Sequence, residues 1–303
     1  MPAGPLTPIQ VRIWYARSEI WDLKTGLANG SLFCFFIVGA YIPQYMSIIR
    51  HGTRGIASRY ILFHCLFSIC TLGLRVSHYD FYKAYNCVRK GAYKGWWGLS
   101  ALLGFIQAIV QWLAAMVLLA MYIHYRDDGI DDNNNELPTQ TMQIIVGVVA
   151  GVALSISFAF IGCNNFELFT NDDLYLNGYW MAAYIFGLGV WMSILQAPNA
   201  VFLFLPVVYQ IKMTAALGGD HGSLSFLSLG LQAGMFMVLG ALQAARNWSN
   251  IKSAWSYIGH VRRFGHFVET FLAFYGTIST HVAYVMTSVG CLVILVYSVI
   301  EQN

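Results

Sequence analysis

Ala40-Tyr41-Ile42-Pro43-Gln44-Tyr45 puts a proline and a glutamine near the end of an apolar run, and after a basic stretch Gly55-Ile56-Ala57-Ser58 opens the next run. Much later the chain reads Phe204-Leu205-Pro206-Val207-Val208-Tyr209, then Lys212, then Gly222-Ser223-Leu224-Ser225. Proline to glycine is 12 residues in the first copy and 16 in the second. Ending a run on proline, crossing a short basic loop and resuming with G-x-x-S, twice, is the mark of an internal repeat. On this alignment Val207 stands where the second glutamine belongs. Gln210, one helical turn beyond Pro206, is not given that role.

The surrounding composition explains where such runs sit. Of 303 residues, 57% are hydrophobic and 10% charged, against about 25% charged in a soluble domain. The apolar residues come in uninterrupted runs rather than amphipathic patterns. A run of about 20 crosses roughly 30 Å of hydrocarbon. Seven qualify: 27–49, 56–76, 96–125, 142–162, 180–211, 223–245 and 270–299. None alternates like a barrel strand, and in lipid the backbone must pair with itself. The expected fold is therefore an all-α membrane protein of seven transmembrane helices.

With the repeat, those helices read as three, one and three. Residues 1–26 form an N-terminal tail and 27–125 a first triple-helix bundle. Residues 126–179 hold a hydrophilic loop and linker helix, and 180–303 a second triple-helix bundle. The tail carries Arg12, Arg17, Glu19, Asp22 and Lys24 and lacks an apolar core, so the first span is expected to act as the targeting signal. Ile251 to Glu269 mixes aromatic with basic residues, which fits either an interfacial helix or a plain loop.

The proline motif has a physical use. Proline removes a helical hydrogen bond and crowds the preceding turn, so the helix bends or hinges. Membrane helices tolerate this where a neighbour or a cavity satisfies the freed carbonyl. Two matched hinges suit alternating access, in which two halves rock about a central site.

Tyr41-Ile42-Pro43-Gln44 with Gly55-Ile56-Ala57-Ser58 resembles the signature of the PQ-loop repeat family, part of the superfamily of SWEET and cystinosin-like proteins. The second copy, and Gln107-Ala108-Ile109-Val110-Gln111-Trp112, resemble the filamentous-fungal members. The resemblance covers about residues 27–300. It implies a small-solute transporter, for an amino acid or a sugar, in a vacuolar, lysosomal or other internal membrane. Because the superfamily also includes the receptor for ER-retention signals, it leaves open a membrane receptor or sorting protein on the same fold. The missing second glutamine leaves open a non-transporting regulatory protein.

Candidate residues for the solute site and hinges are Pro43, Gln44, Gln107, Gln111, Gln196, Asn199, Pro206 and Gln232, all polar or helix-breaking within spans. Each polar one could equally serve an interhelical hydrogen bond of about 0.6 kcal/mol. No carboxylate lies well inside a span. The expectation is passive facilitation, or proton coupling through His64 or His281, whose side chain ordinarily titrates near pH 6.5.

Other functions find no pattern. There is no H-E-x-x-H, G-x-S-x-G, P-loop or Cys/His metal spacing, so no enzyme, metal or cofactor is expected. Net charge is +3 without a basic block for nucleic acid. The expected partners are the lipid bilayer and a small polar solute. Gly147/Gly151 and Gly230/Gly234 are G-x-x-x-G faces expected to let helices approach inside the bundle. Cys87 and Cys163 fall in loops of one side and either pair or remain free thiols.

Orientation is contested within the sequence. The first, third and fifth loops carry five lysines and arginines, and the opposite side eleven. The positive-inside rule puts the second set in the cytosol; the resemblance implies the reverse. Asn247-Trp248-Ser249 in the sixth loop is a glycosylation sequon; a glycan there would place that loop in the lumen and support the orientation the resemblance implies.

Overall fold

The computed structural model describes residues 34–77, 103–126, 137–165, 174–217, 223–246, 282 and 284–300. Among them every regular element is a helix. In chain order these are α1 (34–51), α2 (Ser58–Ser77), α3 (Leu103–His124), α4 (Thr139–Asn165), α5 (Leu174–Ala216), α6 (Phe226–Arg246) and α7 (Tyr284–Ile300). Cys87, His281, the sequon, the acidic third loop and 251–269 lie outside the described residues, as does the side chain of Cys163.

Four helical stretches are long and apolar enough to cross a membrane: Ser58–Ser77, Phe105–His124, Thr139–Ala159 and Phe186–Ala216. Phe226–Ala241 and Tyr284–Ile300 are shorter apolar helices. This is consistent with a multi-pass membrane protein. The outward faces agree: Phe35, Ile144, Val148, Phe186, Leu227 and Ile300 are large, apolar and exposed. Such a belt would be a liability in water and is at home in lipid.

One helix organises the rest. Nearly all of α2 is buried, and it packs against α3, α4 and α5. A single apolar core draws Ile37, Ile61, Leu118, Met142, Leu195, Phe236 and Ile294 from α1 to α7 in turn. Small residues set the closest approaches. A Cβ on Gly73 would lie 3.2 Å from Leu195 and 3.3 Å from Ser157 Oγ, so α2, α4 and α5 meet there. At the same place Ser157 Oγ accepts from Trp191 Nε1 (3.1 Å) and from Ser77 Oγ (3.0 Å).

The G-x-x-x-G faces behave differently from expectation. A Cβ on Gly147, Gly151 or Gly234 would meet nothing within 4 Å, and one on Gly230 would just touch Leu295. The Gly147/Gly151 face of α4 therefore looks outward, along with Ile144 and Val148, rather than into the bundle. The close contact that α7 does make uses Gly290, where a Cβ would lie 2.7 Å from Val207 on α5.

α5 also exceeds its expected span. It runs unbroken for 43 residues through Pro198 and Pro206, about 64 Å at 1.5 Å per residue. That is twice the hydrocarbon thickness, so its ends extend past the bilayer core.

Candidate functional site

The first proline stands inside α1, which continues to residue 51. Pro43 is half-buried and Pro206 buried, so neither points outward. Proline crowds the carbonyls of the turn before it. One of these, Ala40 O, accepts a 2.6 Å bond from Ser228 Oγ of α6. Ser228 in turn accepts from Gln232 Nε2 at 3.0 Å. A hydroxyl of α6 thus ties that helix to the turn before the proline, beside Gly39, whose carbonyl loses its helical partner to Pro43.

Beyond Pro43 the chain turns through Gly52 and Gly55, both at positive φ (71° and 87°). A side chain is strained there and glycine is not. The turn carries Gly55 and Ala57 to the end of α5, where a glutamine waits. Gln210 Nε2 donates to Gly55 O at 2.7 Å, and Ala57 N donates to Gln210 Oε1 at 3.2 Å. The other half returns the arrangement. Gln44 Nε2 donates to Ser223 O at 2.9 Å, and Ser225 N donates to Gln44 Oε1 at 2.9 Å. In both cases one side-chain amide grips the carbonyl of one residue and the N–H two residues on. Between the grips, Ser223 N donates to Arg54 O at 2.7 Å, joining the two loops directly.

The reciprocity corrects the alignment made from sequence. The proline-based match places Val207 opposite Gln44, but the residue that does in the second copy what Gln44 does in the first is Gln210. The glutamine is present; it has moved one helical turn relative to its proline. The loops shift as well. Gly55 corresponds to Ser223, Ala57 to Ser225, and the first residue of α2 to the first of α6, each 168 residues apart. The G-x-x-S match gives 167. The same spacing of 168 relates Cys65, whose Sγ donates to Ala115 O of α3 (3.2 Å), to Ala233, whose carbonyl accepts from Ser288 Oγ of α7 (2.6 Å).

Deeper in the bundle the polar residues are not so provided for. Gln111 is 1% exposed, and neither its Nε2 nor its Oε1 has a partner among the described residues. Thr71 Oγ1, Asn199 Oδ1 and Gln232 Oε1 are likewise buried without one. Burying such a group unpaired costs about 1–3 kcal/mol. His64 is buried on α2. Its Nε2 shares a 2.6 Å hydrogen bond with Tyr41 Oη, and Tyr60 stacks on its ring.

Of the residues picked out in the sequence, Gln232 bonds Ser228, which bonds Ala40 O in the turn before Pro43, and Gln44 bonds the loop leading into α6. Gln107 and Gln111 lie on α3, and Gln196 and Asn199 on α5, with α2 packed against both helices. Gln107, Gln196 and Asn199 are buried. Every buried polar residue among the described ones is an amide, a hydroxyl or an imidazole. All 14 acidic residues of the chain fall outside the described residues.

Compared with known proteins, the chain matches no family model, no curated protein and no solved structure.

Proposed function

We propose that this protein moves a small, uncharged, hydrogen-bonding solute, such as a sugar or a polyol, across an internal membrane by alternating access. Seven spans in a three-one-three arrangement form two triplets related by a pseudo-two-fold exchange, as in the PQ-loop repeat proteins its first motif resembles. The observation that carries this is the reciprocal glutamine clasp. Two halves that hold one another by the same bonds, in exchanged roles, are built as equivalent partners. A clasp at one end leaves the other end to open.

The solute class follows from the buried chemistry. Both amide atoms of Gln111, and Asn199 Oδ1, Gln232 Oε1 and Thr71 Oγ1, offer hydrogen-bonding capacity that nothing among the described residues uses. A cationic solute would find no carboxylate on the described helices. A ligand carrying a carboxylate would find no fully buried lysine or arginine among the described residues; Arg75, in the last turn of α2, is half-buried. A neutral, hydroxyl- or amide-bearing molecule meets both conditions, and its own polar groups would relieve the unpaired ones.

The test is a thermal-shift screen of purified protein against sugars, polyols and neutral, cationic and anionic amino acids, followed by uptake into liposomes with each ligand found. The expected result is stabilisation by a neutral solute and its uptake. Binding without uptake would identify a receptor instead, and a ligand of net charge would refute the solute class.

A further inference from the structure

The clasped end of the bundle carries cations from both halves. Arg50, Arg54 and Arg59 come from α1, its loop and α2, and Lys212 from α5. Their placement is fixed by the clasp: Arg54 O bonds Ser223 N, and Lys212 follows two residues after Gln210, which holds Gly55 and Ala57. Arg50, Arg54 and Lys212 are exposed, Arg59 half so.

Arg59 is held in place. Its guanidinium lies 4.9 Å from the centre of the Tyr209 ring, and the other neighbours of that ring include Phe63, stacked at 5.7 Å. Phe63 stacks in turn on Phe202 at 5.8 Å. Arg59 and Phe63 are four apart on α2, and Tyr209 and Lys212 three apart on α5, so each pair shares a helix face. An aromatic ladder thus climbs the α2–α5 seam from the apolar interior and ends in two cations. Aromatic rings topped by cations mark the level where a helix leaves hydrocarbon for headgroups. The N-terminus of α2 opens at the same level and adds positive potential.

We propose that this cationic crown binds the phosphate headgroups of anionic membrane lipids, and that a headgroup lodged between Arg59 and Lys212 braces the clasp. The inference does not depend on transport: it needs only a bilayer and the described placement of the cations. The chemistry is that of basic clusters at membrane-helix ends, which attract anionic headgroups over zwitterionic ones.

The full chain is placed in nanodiscs of phosphatidylcholine, with or without added phosphatidylserine, and its thermal unfolding compared. Anionic lipid should raise the Tm, and Lys212→Gln or Arg59→Gln should lose most of that rise. Arg59→Lys should keep it. Because the readout is the difference between two lipids for each variant, a variant that is simply less stable does not imitate the expected result. In native mass spectrometry each lost cation should weaken retention of anionic lipid about fivefold. Equal Tm in the two lipids, or a full rise in both neutral variants, overturns the proposal. A rise reproduced by inorganic phosphate in phosphatidylcholine discs would also overturn it, since the site would then take a free anion.

Discussion

Gln210 at the clasped end and Gln111 in the middle of the bundle are equally buried, at 0% and 1% exposure, yet their surroundings differ completely. Gln210, like Gln44, has both amide atoms bonded to the backbone of a loop more than 150 residues away in the chain. Gln111 has neither bonded among the described residues. The same side chain in the same apolar setting therefore does two kinds of work. At the clasp its hydrogen bonds hold the fold. In the middle they find no partner among the described residues, at a cost, and it is on this spare capacity that the proposed solute site rests.

That contrast can be broken most forcefully at the clasp. Gln210→Leu and Gln44→Leu each strand a buried N–H and a carbonyl, and should each cost roughly 2–4 kcal/mol in unfolding from detergent micelles. The two should cost the same, since their bonds match. Combined, they should cost less than the sum, because either one loosens the shared interface. Unequal single effects would mean the reciprocity is only geometric.

Next in size is the packing that lets α7 approach α5. Gly290→Val drives a branched side chain into Val207 and should destabilise by about 1–3 kcal/mol, read by the same unfolding measurement. Gly147→Val, on the open outward face of α4, should cost far less.

A smaller effect is expected where Ser228 serves the turn before Pro43. Ser228→Ala removes two hydrogen bonds, one to Ala40 O and one from Gln232 Nε2, and should cost about 1–2 kcal/mol.

The smallest effect has the opposite sign. Gln111→Leu removes an unpaired amide and should leave the protein as stable or up to about 1 kcal/mol more stable. It should also abolish the thermal shift given by the solute. A loss of stability matching that of Gln210→Leu would show that Gln111 has a structural partner after all.

Much of this was legible in the sequence. Uninterrupted apolar runs mark helix positions, since in lipid every backbone group must pair within its own helix; α2 and α6 begin within three residues of their expected starts. Gln44 was recognisable beside its proline. Gln210 is not, because it stands four residues after Pro206 whereas Gln44 directly follows Pro43. What matters physically is spacing to the loop being gripped, and that loop belongs to the other half of the chain. The one-residue shift between G-x-x-S and the true loop correspondence has the same origin. Sequence also could not say which glutamines would be paired: Gln44, Gln111 and Gln232 look alike until the neighbouring helices are in place.

The central claim is that the clasp closes one end of a two-halved carrier and must open for solute to pass. It is tested by joining the two loops covalently, with Arg54→Cys and Ser223→Cys, whose backbones already meet at 2.7 Å. Uptake of the solute found by thermal shift is then measured in liposomes before oxidation, after it, and after reduction. The account predicts that the cross-link halts uptake and that reductant restores it, while the chain without the added pair is unaffected by the oxidant. Undiminished uptake by fully cross-linked protein would contradict it.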